Sequence, residues 1–158
     1  MSNSWPGEGP TPVDFKKGQV LYTEGEQSHF VYLIKSGSVS LVKENDDRLI
    51  VIAKLSKQSF VGLDSYFANE SRKDTAIATE DTEAFVIKRQ DLNSAMKSFP
   101  DWVRNLMKTM GERLESTMDV LRAHKIFDDS DGVSLEFQPE EEVHFKKAIL
   151  EYKKKKGL

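Results

Sequence analysis

Residues 60–76 read Phe60-Val-Gly-Leu-Asp-Ser-Tyr-Phe-Ala-Asn-Glu-Ser-Arg-Lys-Asp-Thr-Ala76, and the reading of this stretch decides the fold. Gly62 lets backbone come close to a neighbouring group, a short mixed segment follows, and Arg72 then enters a β-rich run. A small barrel can build an anion pocket in this way. The plainer alternative makes Gly62 a turn glycine and Arg72 a surface charge. The flanking sequence separates the two.

Upstream, from Val13, and onward to Lys88, short alternating runs are separated by glycine or charged turns, the texture of a sandwich or barrel. Strands are expected at Val20 to Thr23, Phe30 to Lys35, Ser38 to Lys43, Leu49 to Leu55, Thr75 to Thr79 and Glu83 to Lys88. Asn45-Asp46-Asp47 supplies a turn through side-chain bonds to backbone. Residues 1–12, rich in Pro, Gly and Ser, are expected to form a loose arm. Its Trp5 either pins the arm to the domain or a partner, or stays exposed.

Downstream of Lys88 the pattern turns helical. Gln90 to Phe99 reads as a short helix stopped by Pro100, which opens a second helix reaching about Phe127. Along it Val103, Met107, Met110, Leu114, Thr117, Leu121 and His124 alternate steps of four and three, a heptad seam. Trp102, Leu106, Met118 and Ile126 add apolar positions beside it. One face can pack on the barrel and the other on a second copy; the alternative is one broad stripe serving only the domain's own core.

A break at residues 128–132 precedes a possible strand, Val133 to Phe137, and a last helix opened by Pro139. Its acidic first turn and the lysines Lys153 to Lys156 suit the helix dipole. Phe145, Ile149 and Tyr152 share one face and are candidates for a partner interface. Three segments follow: an arm (1–12), a roll with its long helix (13–127) and a C-terminal extension (128–158).

Composition narrows the chemistry. With 158 residues, of which 38% are hydrophobic, one sizeable core is possible. The formal net charge of -3 gives no global attraction for nucleic acid or anionic membrane. The chain has no cysteine and only three separated histidines, His29, His124 and His144, so thiolate metal sites are excluded and a metal site is not expected. No serine, histidine or carboxylate cluster sits at nucleophile spacing, so no catalytic residues and no enzyme activity are expected. The N-terminus has no basic start or apolar run, and no long apolar segment occurs. A soluble, cytoplasmic protein without membrane insertion is expected.

The ordered series Phe15-Lys-Lys-Gly18, Glu24-Gly25, Val31 through Gly37-Ser-Val, Gly62, Arg72 through Thr75-Ala76, Ala78 through Ile87, Phe99-Pro100 and the long helix resembles the cyclic-nucleotide-binding domain family. More narrowly, it is similar to the sensor domains of Crp/Fnr regulators. The resemblance covers roughly residues 13–127. It implies an α+β fold: a double-stranded β-helix, or jelly-roll-like β-roll, followed by a short helix and a long dimerisation-type helix, here with a small C-terminal extension.

In cyclic-nucleotide-binding members the segment around Gly62 cradles the ribose and phosphate. The resemblance therefore makes Gly62, Leu63, Asp64, Arg72, Lys73 and Asp74 candidate ligand residues, with Arg72 on the cyclic phosphate. Leu63 stands where the family's glutamate takes the ribose 2'-hydroxyl, and leucine cannot accept that bond; such a loss weakens binding by about one to two decades. Gln58 replaces a family glycine. Asp74, two residues beyond Arg72, is expected on the same face, where it would pair with the guanidinium or repel a phosphate. The pocket thus departs from one built for cyclic AMP or GMP, so no cofactor is expected, with a cyclic nucleotide as the alternative. About thirty residues follow Phe127, too few for the regulators' DNA-binding domain, and autonomous DNA binding is not expected. The sequence reading is a homodimeric signalling adaptor acting through protein partners; the alternative is a sensor that holds a small anionic ligand on Arg72.

Overall fold

The computed structural model describes residues 10–124 and 136–158, with the side chains of Leu121, Arg122 and His124 outside the description. The expectations for Trp5, Leu121, His124 and residues 133–135 therefore lie outside the described residues.

Eight antiparallel strands form a roll of two four-stranded sheets. In chain order they are β1 (Thr11–Phe15), β2 (Val20–Tyr22), β3 (Phe30–Ser36), β4 (Val39–Asn45), β5 (Arg48–Leu55), β6 (Phe60–Val61), β7 (Thr75–Ala78) and β8 (Thr82–Lys88). One sheet has the order β1-β8-β3-β6 and the other β2-β7-β4-β5. The helices are α1 (Leu63–Ala68), α2 (Arg89–Lys97), α3 (Asp101–His124) and α4 (Pro139–Lys156). The six strands expected from alternation are all present within a few residues. The β4–β5 turn closes on the pair Asn45 and Arg48, with Asp46 at φ 51°; an acidic residue tolerates this left-handed conformation better than most. β1 begins at Thr11, so the last two residues expected in the arm belong to the roll. Phe137 is not in a strand.

The inner faces of the two sheets meet over Leu21, Tyr22, Ile34, Val39, Leu41, Ile52 and Val61. A second cluster lies outside this core. Val20, Val42, Leu49, Val51 and Ile77 point outward from the β2-β7-β4-β5 sheet and are covered by Phe145 and Ile149 of α4. Both α4 residues are 1% exposed, and burying each contributes about 1.5–3 kcal/mol. Tyr152 joins the same contact, its hydroxyl donating to the Leu21 carbonyl at 3.4 Å. This corrects the sequence reading of Phe145, Ile149 and Tyr152 as a partner interface: the face docks within the chain, because strands covered on both sides leave a second apolar surface that a helix must cover. α4 begins as expected, with Pro139 and the acids Glu140 to Glu142 in its first turn and Lys153 to Lys156 in its last, and Gly157, which the sequence reading did not single out, caps it in the left-handed conformation.

Candidate functional site

β6 leads directly into α1 through Gly62, and α1 leads through Asn69 to Arg72, so the 60–76 stretch folds back on itself before β7. Arg72 is not a surface charge. It is 4% exposed, and its Nη1 donates to the Gly62 carbonyl at 2.8 Å and to Ser65 Oγ at 3.0 Å. Its Nη2 donates to the Phe30 carbonyl, and the guanidinium lies over the Tyr22 ring, 4.2 Å from the centroid. A Cβ at Gly62 would overlap Arg72 Nη1. The glycine therefore admits the chain's own arginine to the backbone, on top of its positive φ of 85°. Arg72 Nε is buried with no hydrogen-bond partner among the described residues.

Two carboxyl groups share this interior. Asp74 is 1% exposed and accepts from Tyr22 Oη at 3.4 Å. Burial first, and then Asp74, pushes the Tyr22 phenol well above its ordinary range, with Arg72 opposing and Asp64 reinforcing. Asp64 and Asp74 thus surround the same ring as Arg72. An entering phosphate would meet one cation already bonded to backbone carbonyls, beside two carboxyl groups.

Lys73 points elsewhere. Its ammonium pairs with Glu70 at 3.2 Å, Glu115 at 3.0 Å and Asp119 at 3.2 Å. Partial burial works to lower its pKa, but hydrogen bonds to Glu115, Glu70 and Asp119 outweigh it and hold the ammonium above its ordinary range. Between the cassette and α3 an open bowl of about 940 Å³ is lined by Glu24, Lys43, Glu70, Arg72, Lys73 and Asp119. Lys43 bridges to Glu24 at 2.5 Å across it. Of the six candidate ligand residues, only Arg72 and Lys73 line the bowl; Gly62, Leu63, Asp64 and Asp74 do not. The sequence reading missed Tyr22, Lys43 and Glu24, which come from strands and turns whose pattern signals only structure. It missed Glu115 and Asp119 as well, although their spacing of four on the helix places them on one face.

Burial along the long helix divides the expected seam in two. Met110, Leu114 and Thr117 are exposed, as a seam awaiting a second helix would be, but Val103 and Met107 are half-buried. Trp102, at 69% exposure, and Leu106, at 51%, take their place beside Met110, at 62%. The exposed stripe thus runs 102, 106, 110, 114, 117. It is rotated from the expected seam because Gly111 and Met118 turn the opposite face onto α1 and the roll. Among the described residues there is no group of acidic and histidine side chains able to hold a metal, and no helix long and apolar enough to cross a membrane.

With this geometry in place, similarity to known proteins can be weighed. Residues 12–99, more than half of the chain, match the profile of the Cyclic nucleotide-binding domain. The chain is 29% identical over 122 residues to the CRP-like cAMP-activated global transcriptional regulator of Mycobacterium tuberculosis, covering 77% of this chain and 54% of that protein. It is 22% identical over 103 residues to Patatin-like phospholipase domain-containing protein 7 of Rattus norvegicus, covering 65% of this chain and 8% of that protein. Enzymes and regulators thus both contain the matched region. Among solved structures, the Catabolite Activator Protein of Thermus thermophilus superposes with a TM-score of 0.59 at 23% identity, over 73% of this chain and 55% of that one. The β-roll, the Gly62 to Arg72 cassette and the profile match agree: the chain belongs to the cyclic nucleotide-binding domain family.

Proposed function

We propose that this chain is a non-catalytic regulatory module that pairs with a second copy through α3 and acts by protein contact rather than by answering cyclic AMP or GMP. The observation that carries the reading is Arg72. The side chain that a cyclic phosphate would require donates through both Nη atoms within the chain, to Gly62, Ser65 and Phe30, and stacks on Tyr22. Drawing it out would strand buried carbonyls, at roughly 1–3 kcal/mol each. Leu63 gives no acceptor for a ribose hydroxyl.

The second copy follows from the α3 stripe. Trp102, Leu106, Met110, Leu114 and Val120 are exposed along one helix of 24 residues. They leave on the order of 600 Å² of apolar side chain per copy, so a symmetric pair would bury about 1,200 Å², the lower limit of stable interfaces. A two-fold contact brings the same residues together from both copies.

The alternative, an anion sensor, is favoured by one observation: Arg72 lines the bowl and keeps an unpartnered Nε. Sedimentation and thermal unfolding distinguish the readings. The protein is expected to sediment as a dimer, to become monomeric with Leu106→Glu and Met110→Glu together, and to melt at the same temperature with cyclic AMP or cyclic GMP. A ligand at a hundred times its Kd would add about 2.7 kcal/mol and raise the midpoint by roughly 5–10 °C. A shift of that size would overturn the first reading in favour of the second.

A further inference from the structure

One ridge of α3 faces the cassette, and it carries Gly111, Glu115 and Asp119 at successive spacings of four. Each meets a cassette residue or makes room for one. At Gly111, the helix's only glycine, a Cβ would overlap the ring of Phe67, the α1 residue that stands against Tyr66 with ring centroids 5.2 Å apart. One and two turns further along, Glu115 and Asp119 reach Lys73 at 3.0 Å and 3.2 Å. Glu70, from the cassette itself, closes the cluster at 3.2 Å.

The residue types are costly unless the contact matters. Glycine in a helix interior loses about 1 kcal/mol relative to alanine. Carboxylates four apart on one helix repel. Phe67 in the notch and Lys73 between the carboxylates offset these costs. The Lys73 side chain is 24% exposed and that of Glu115 22%, so the pair is screened less than an ordinary surface bridge.

From these contacts we infer that Phe67 and Lys73 form a strap that holds α3 to the cassette without a ligand. The ring seats in the Gly111 notch and the ammonium ties down the next two turns. The strap turns the opposite face of α3, with Trp102, Leu106 and Met110, outward. It holds whether or not that face meets a second copy, so it goes beyond the proposed pairing. Neutralising Lys73, by modification or substitution, loosens helix and cassette together.

Amide hydrogen exchange on the full chain tests this, read separately for residues 63–74, for α3 and for the core strands. The cassette amides lie off the α3 stripe and therefore report the strap independently of pairing. Lys73→Ala is expected to speed exchange in the cassette and in residues 111–119 by about fivefold or more, leaving β3, β4 and β7 unchanged. Lys73→Glu should do more, and combining it with Glu115→Lys and Asp119→Lys should return protection. Gly111→Ala, which keeps every charge, should loosen the same two segments by displacing Phe67. Unchanged exchange in Lys73→Ala would overturn the strap. So would faster exchange spread equally over the roll, because Lys73 would then support the whole domain rather than one joint.

Discussion

The two long helices, α3 and α4, have the same kind of sequence and opposite fates. Each carries apolar residues at spacings of three and four. In α4 the stripe closes on the chain's own outer sheet and leaves Phe145 and Ile149 buried, whereas in α3 Trp102, Leu106 and Met110 remain exposed. An amphipathic pattern says that a face will be covered, not by what. The deciding information sits in the surface that receives the helix. Strands β2, β7, β4 and β5 present Val20, Val42, Leu49, Val51 and Ile77 to α4. For α3 the surface offered is narrower: Phe67, Lys73 and the edge of the core that Met118 meets.

The sharpest way to break this comparison is to cut one large apolar side chain on each helix back to alanine. Phe145→Ala should destabilise the protein by about 3–5 kcal/mol, because a fully buried ring leaves a cavity between α4 and the sheet. Leu106→Ala, on the exposed stripe, should change monomer stability by less than about 0.5 kcal/mol. Thermal unfolding at low protein concentration reads both. A small effect for Phe145→Ala would mean that α4 is an ornament on a roll stable without it, and the contrast between the helices would be lost.

Arg72 carries the comparison inside the cassette. A ligand-reading arginine can be removed from an empty site without much loss of stability, whereas one that satisfies backbone cannot. Arg72→Leu takes the arginine donor from the Phe30 carbonyl and leaves the Gly62 carbonyl only its longer bond from the Ser65 hydroxyl, at roughly 1–3 kcal/mol for a group left unsatisfied, so the midpoint of denaturant unfolding should fall with the slope unchanged. An unchanged midpoint would show that the guanidinium is held loosely and is available to a ligand.

How much of this was legible follows from which physical signal each element has. The alternation of β3, β4 and β5 and the charged ends of α4 were visible because their periods and end residues are local properties. Arg72 was placed at the right position but given the wrong surroundings. Its partners, Phe30 and Tyr22, are forty and fifty residues away, and nothing local in their strands marks one carbonyl or one ring as its neighbour. The seam was misjudged by part of a turn for a similar reason. Gly111 reads as a weak point in a helix until Phe67 is seen across from it. The two-residue β6 and six-residue α1 are too short for any periodicity to reveal.

A smaller effect than the loss of Phe145 concerns how α4 is fastened at its first turn. Glu142 accepts from the Leu49 backbone N–H at 2.7 Å and from Arg48 Nε at 3.3 Å, so it caps the outer edge of β5 with a side chain from α4. The Leu49 hydrogen bond, with burial opposing and Arg48 and Lys146 assisting, holds the carboxyl below the ordinary glutamate range. A carboxyl depressed by folding contributes stability that is present above its unfolded pKa, about 4.3, and lost as pH falls through the lower folded value. Glu142→Gln keeps the shape and removes the charge, and should lower stability at pH 7 by about 1.5 kcal/mol or somewhat more, the contribution of a hydrogen bond to a charged group. The difference between wild type and variant should then shrink as pH drops through 4 toward 2. If instead the two unfolding curves kept a constant separation over that range, the Glu142 charge would not be what joins α4 to β5. The helix would then be held chiefly by Phe145 and Ile149, with Tyr152 on the Leu21 carbonyl and the pairs Lys17–Glu141 and Lys153–Glu44 at its ends.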